Sequence, residues 1–153
     1  MVNNTNDIAP QIALPDKDGL AIFEVKKIIR CKSDNSYTEF LILDDSGKKK
    51  DYLKKVVSKG IYHFEDFLMS TGYFYRIHNQ HIINVAHLTR IIRNNGGYVL
   101  MDDNTGELIP IARARKEDFL KHLKFKGIIL WFPEIKFKAA KIKFVLSILI
   151  IRQ

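Results

Sequence analysis

The chain has 153 residues, 46% hydrophobic, 11% aromatic and 27% charged, enough apolar material for one globular core and too much for a disordered chain. Its formal charge is +8, yet residues 1–120 carry 17 basic against 16 acidic side chains, whereas the last 33 carry eight against one. The basic excess sits in the tail, so a nucleic-acid reading of the body has to rest on particular residues rather than on bulk charge.

Residues 1–19 read as a polar lead-in that closes on a turn at Asp16-Lys17-Asp18-Gly19. Leu20–Cys31 is rich in β-branched and aliphatic residues and predicts one or two short strands, followed by a loop at Lys32–Ser36. Tyr37–Leu43 and Lys48–Val57 flank the turn Asp44-Asp45-Ser46-Gly47 and predict a hairpin. Ser58 is placed to cap a helix beginning near Lys59 or Gly60, whose apolar face is Ile61, Phe64, Phe67 and Leu68, and Gly72 stops it. Tyr73–Ile77 is extended, and Ile82–Val85 is a short apolar segment. Leu88–Arg93 and Tyr98–Met101 flank Asn94-Asn95-Gly96-Gly97, a strong hairpin signal. Leu108–Ala112 pairs across the turn Asp102–Gly106, with Pro110 restricting it to an edge or an early end, and Arg113–Leu123 predicts a final helix. The expected fold is mainly β, built of small antiparallel sheets with one or two short helices.

Little in the chain suits catalysis. Its five histidines include His78 and His81, three apart, but no Cys or acidic residue stands at metal-ligand spacing nearby. The acidic pairs Asp44-Asp45 and Asp102-Asp103 lie in turns, where Asp is favoured for its own backbone hydrogen bonds. Asn95-Gly96-Gly97 is a hairpin turn rather than a phosphate-cradling strand-to-helix junction. No catalytic residue, metal ligand or cofactor is expected. The single cysteine, Cys31, excludes an intramolecular disulfide and fits a reducing compartment; with no secretory pattern at the N-terminus, the expected location is the cytoplasm.

One constellation is specific. Phe74-Tyr75-Arg76-Ile77-His78, followed by Ile82-Ile83-Asn84, comes after a short helix and before a hairpin. The stretch Ser33-Asp34-Asn35-Ser36-Tyr37-Thr38 precedes it, and Pro110-Ile111-Ala112-Arg113-Ala114-Arg115-Lys116 follows it. In this order and spacing the three blocks resemble the LytTR family, the DNA-binding domain of many bacterial response regulators. The resemblance spans roughly residues 10–124. It implies an elongated domain of about ten strands that places loops into successive major grooves of promoter DNA. The DNA-binding positions it implies are Ser36, Tyr37 and Thr38 in the first loop, His78, Asn79 and Gln80 in the second, and Arg113, Arg115 and Lys116 in the third. Asn can pair bidentately with adenine and Arg with guanine, so Asn79 and Arg113 are chemically able to read base edges. Ser36, Thr38, Arg115 and Lys116 suit phosphate contacts that set register. Asn79-Gln80 stands where the family often has Arg-Ser, which exchanges a cation for an amide.

The expected organisation is a lead-in at 1–19, a LytTR-type domain at 20–124 and a basic, apolar extension at 125–153. Nineteen residues are too few for a receiver domain, so the sequence reads as a stand-alone module. The expected partners are double-stranded DNA carrying promoter repeats, a second copy on that DNA, and a separate sensor or membrane protein. In the extension, Ile135–Ala139 and Lys141–Phe144 alternate apolar residues with lysine, and the apolar run Phe144–Ile151 would cover as a helix roughly 12 Å, short of a bilayer core of about 30 Å. The rival reading is a protein- or membrane-surface module on the same fold without specific DNA readout, motivated by Asn79-Gln80, the near-neutral body and the apolar tail.

Overall fold

A computed structural model describes residues 9–128 and residue 130; the alternating and apolar stretches of the extension lie outside these. Among the described residues the chain forms ten strands and two α-helices, joined in places by 3-10 turns. It divides into two compact units. Among the described residues, the first holds residues 9–76 together with Gln80–His87, and the second holds Ile77–Asn79 together with residues 88–128 and 130.

The first unit opens with β1 (Gln11–Asp16) and β2 (Gly19–Glu24), an antiparallel pair closed by the expected turn, with Asp16 opposite Gly19. β1 takes up residues that the composition assigns to a polar lead-in. The reason is visible at Leu14, which is 1% exposed while its neighbours along the strand are open. Strands β3 (Ile28–Asp34), β4 (Tyr37–Asp44) and β5 (Asp51–Val57) form a meander. With β6 (Phe74–His78) and β7 (His81–Asn84) they make a five-stranded sheet in the order β5-β4-β3-β7-β6. Central β3 buries four residues in a row, Ile28 to Cys31, whereas β4 buries only Thr38, Phe40 and Ile42, the period-two pattern of a one-sided strand.

Helix α1 (Tyr62–Ser70) begins later than the sequence suggests. Ile61 holds the cap position and no side chain caps the helix, so Ser58 is not the cap. Ser58 lies in the turn where Lys59 N–H bonds the Val57 carbonyl, before the helical bonds start at His63 and Phe64. At Gly60 a Cβ would lie 2.8 Å from Cε1 of the exposed Tyr62 ring, so a larger residue there would make that ring swing aside. Leu68 is fully buried, and Phe64 meets Phe40 edge to face, with ring centroids 4.9 Å apart, above the core of Leu14, Val25, Ile28, Cys31 and Ile82. Burial pushes the Cys31 thiol up, out of the range where a reactive thiolate forms.

In the second unit, β8 (Leu88–Ile92) and β9 (Tyr98–Met101) form the expected hairpin, with Ile92 opposite Tyr98. The two-residue β10 (Ile109–Pro110) pairs with β9 at the outside of a three-stranded sheet, as a strand containing proline must. A 3-10 turn over Arg113–Arg115 leads into α2 (Lys116–Phe125), which buries Lys116, Phe119, Leu120 and Leu123 along one stripe.

Half-buried His122 on α2 carries a pH dependence. Desolvation, aided by Lys126, holds its imidazole below the ordinary value of 6.5, with Asp118 opposing. The unfolded chain therefore takes up this proton at a higher pH than the folded one, so stability falls as pH drops below about 6.5 and through the folded value. His122→Gln is expected to flatten the fall in urea midpoint between about pH 7.5 and 5.5, a window above the carboxylate range. An unchanged slope would assign the fall to other groups.

Candidate nucleic-acid interface

Three turns carry the residues that the sequence singles out. The first joins β3 to β4, with Asp34 and Tyr37 as its closing pair. Asn35 at its tip has φ 55°, a left-handed conformation that Asn tolerates better than most residues. Asn35 and Ser36 are exposed, and Tyr37 keeps 47% of its surface open. Thr38 faces the other way: it is fully buried, and its hydroxyl donates to the Lys59 carbonyl at 2.7 Å. Thr38 thus holds the loop's base rather than presenting a donor. Thr38→Val keeps the shape and removes this bond, with an expected cost of about 1 kcal/mol, read as a lower urea midpoint. An unchanged midpoint would mean that solvent serves the carbonyl equally well.

The second turn, Asn79-Gln80, joins β6 to β7. Both residues are exposed and His78 is half-buried. In the first unit the Gln80 carbonyl accepts the Ser33 N–H at 2.8 Å, tying this turn to the end of β3. Arg76, two residues before His78, is spent on an ion pair with Glu65 of α1 and is mostly buried. Asn84, at the end of β7, is also spent internally: its amide donates to the Lys26 and Ile28 carbonyls, and its oxygen accepts the Ala86 N–H.

The third turn belongs to the second unit. The Ala112 N–H donates to the Ile77 carbonyl at 2.9 Å, which fixes the residue before Arg113 against the residue before His78. Arg113 is exposed, Arg115 half-buried, and Lys116 only 5% exposed. The burial of Lys116 has a sequence signal: it stands three and four residues before Phe119 and Leu120, on the apolar stripe of α2. The sequence reading passes over Asn95, Gly96, Gly97 and Tyr98 as turn and strand residues, although they line one concavity with Arg113 and Lys116. Among the described residues no cluster of His, Cys, Asp or Glu could hold a metal ion, and no helix is long and apolar enough to cross a membrane.

The fold is a set of small antiparallel sheets whose short, hydrogen-bonded turns carry exposed amide, hydroxyl and guanidinium groups. The model of the LytTr DNA-binding domain family matches residues 18–124, and the chain belongs to that family. It is thus a DNA-binding regulator output domain in general character, of a family of DNA-binding domains rather than enzymes. Among solved structures the chain is similar to a LytTr DNA-binding domain from Bacillus cereus, described as that of a methyl-accepting/DNA response regulator. The two are 21% identical with a TM-score of 0.56, over 74% of this chain and 95% of that one. No curated protein matches the chain.

Proposed function

We propose that the protein is a sequence-specific double-stranded DNA-binding regulator of transcription in the cytoplasm, reading successive major grooves through its three turns. The observation that carries this reading is that Asn79 and Arg113, the two side chains best suited to base edges, are both exposed on turns whose backbones are hydrogen-bonded in place. Ser36 and Tyr37 contribute from the first turn, while Gln80, His78 and Arg115 flank the readers and contact the sugar-phosphate backbone. Thr38 supports its loop from beneath. Two copies bound to promoter repeats, and a separate sensor that delivers the signal, complete the proposal.

The test is selection of bound duplexes from a random pool by gel shift at moderate salt. An enriched motif, repeated at about the 10–10.5 base pairs of a helical turn or a multiple of it, is the expected result. Binding without an enriched motif would favour the rival reading of a surface-interaction module.

A further inference from the structure

In the first unit, the outer face of the β1-β2 hairpin is apolar and open to water. Ile22 stands opposite Ala13 and Leu20 opposite Pro15, so the four share one face of the pair. Leu20 and Ile22 are 68% and 66% exposed, and Ala13 and Pro15 are open as well. Ile22 also lines a groove of about 330 Å³, together with residues of β4, β5 and the turn between them. Phe23 and Leu53 extend its apolar wall, and Leu53 lies on β5, the edge strand of the five-stranded sheet.

The charged part of the lining is lopsided. Glu24, Asp44 and Asp45 set three carboxylates against the ammonium of Lys27, which lies 3.0 Å from Asp45 Oδ1. Lys48, Lys49 and Lys50, in the turn that follows β4, are not among the residues that line it. A hydrogen bond from the Ser46 hydroxyl holds the Asp44 carboxyl below its ordinary value, and the Lys27 ammonium does the same for Asp45. Both therefore stay ionised at neutral pH.

An apolar groove with excess carboxylate selects a ligand that is both apolar and cationic. The chain itself carries such a segment. Ile135–Phe144 holds four lysines and no carboxylate, with Ile135, Phe137, Ile142 and Phe144 beside them. Left in water, groove and segment are each an aggregation hazard; brought together they bury apolar surface and match opposite charges. Every chain has both halves, so two copies can exchange segments reciprocally. A closed two-fold exchange makes the contact twice and leaves neither half open.

We propose that this groove docks the segment Ile135–Phe144 of a second copy, so that the protein pairs with itself. The contact needs no nucleic acid and is independent of the DNA reading above. It gives the basic excess beyond residue 120 an acidic partner within the protein.

The experiment uses the full chain with Ala140→Cys carrying a nitroxide; Cys31 is fully buried, which leaves the new thiol as the reactive one. This chain, at natural nitrogen abundance, is mixed with an equal amount of ¹⁵N-labelled chain of native sequence, with the reduced nitroxide as reference. Broadening of the Ile22, Phe23, Ser46 and Leu53 amides, rising with concentration in step with dimer mass in sedimentation equilibrium, is the expected result. A chain that stays monomeric, or broadening confined to other residues, would overturn the docking. Broadening of the groove only when nitroxide and ¹⁵N share one chain, unchanged on dilution, would overturn the second copy and assign the groove to the chain's own segment.

Two variants test the two halves. Ile22→Lys, at an exposed position, is expected to weaken self-association by about tenfold or more, the scale of losing one docked isoleucine side chain. Unaltered association in that variant would overturn the groove. Replacing Lys136, Lys138, Lys141 and Lys143 together by serine is expected to weaken association and to remove its dependence on salt. Association that keeps its strength and salt dependence would overturn the charge pairing on which the occupant was chosen. Should Ile22→Lys lose its dispersed spectrum, the serine variant and the mixed-label map decide alone.

Discussion

Asn84→Ala is expected to destabilise the first unit by about 2–4 kcal/mol. Asn84 is fully buried, and its one amide bridges the carbonyls of Lys26 and Ile28 at 3.1 and 2.9 Å, the second bond buried throughout. Its oxygen accepts the Ala86 N–H at 3.0 Å. Truncation strands a buried carbonyl and loosens the 3-10 turns Val25–Lys27 and Val85–His87 together. Asn84→Asp keeps an acceptor for Ala86 but loses both donated bonds and brings a carboxylate toward two carbonyl oxygens, so it is expected to cost at least as much. Urea unfolding with an unchanged m-value measures both. A loss below about 1 kcal/mol for the alanine variant would mean that water replaces the amide.

Arg113→Ala carries the largest functional effect. It is expected to weaken binding to the selected duplex by about 1–3 kcal/mol, roughly 5- to 150-fold, with little change on scrambled duplex. Arg113 is exposed, so truncation removes no core packing, and the preceding Ala112 keeps its backbone bond to Ile77. Arg113→Lys should fail to restore the specific affinity, because an ammonium cannot match the two guanine acceptors as a planar fork does. Fluorescence titration against both duplexes separates the cases. Equal losses on the two would make Arg113 a backbone contact and leave base reading to Asn79 and the first turn.

Most strands were legible in the chain, because each announces itself within a few residues. Alternation along Tyr37–Leu43, the Asn-Gly-Gly turn before Tyr98 and the proline in β10 are local signals with local consequences. Where the reading missed, a competing local feature won. The short alternation around Leu14 is hidden among polar neighbours, and Ser58 resembles a cap while the chain turns once more before α1 begins.

The candidate residues could be named from the sequence, but not which of them the fold buries. Thr38 and Lys116 both read as polar groups available to a ligand. Thr38 is instead turned inward onto Lys59, as Arg76 is onto Glu65 and Asn84 onto carbonyls 56 and 58 residues away. Lys116 could have been placed from its position on the α2 stripe, but a cation on an apolar stripe is outvoted by its own charge unless the pocket beside it is known.

The sequence by itself determined the mainly β fold and the family, because periodicity, turn chemistry and motif spacing act over a few residues. It also located the basic excess, which lies beyond residue 120 and outside the three candidate turns. Only the tertiary structure decided which polar side chains remain exposed. Whether a hydroxyl, amide or ammonium is spent internally depends on partners tens of residues away, and a buried polar group must find them.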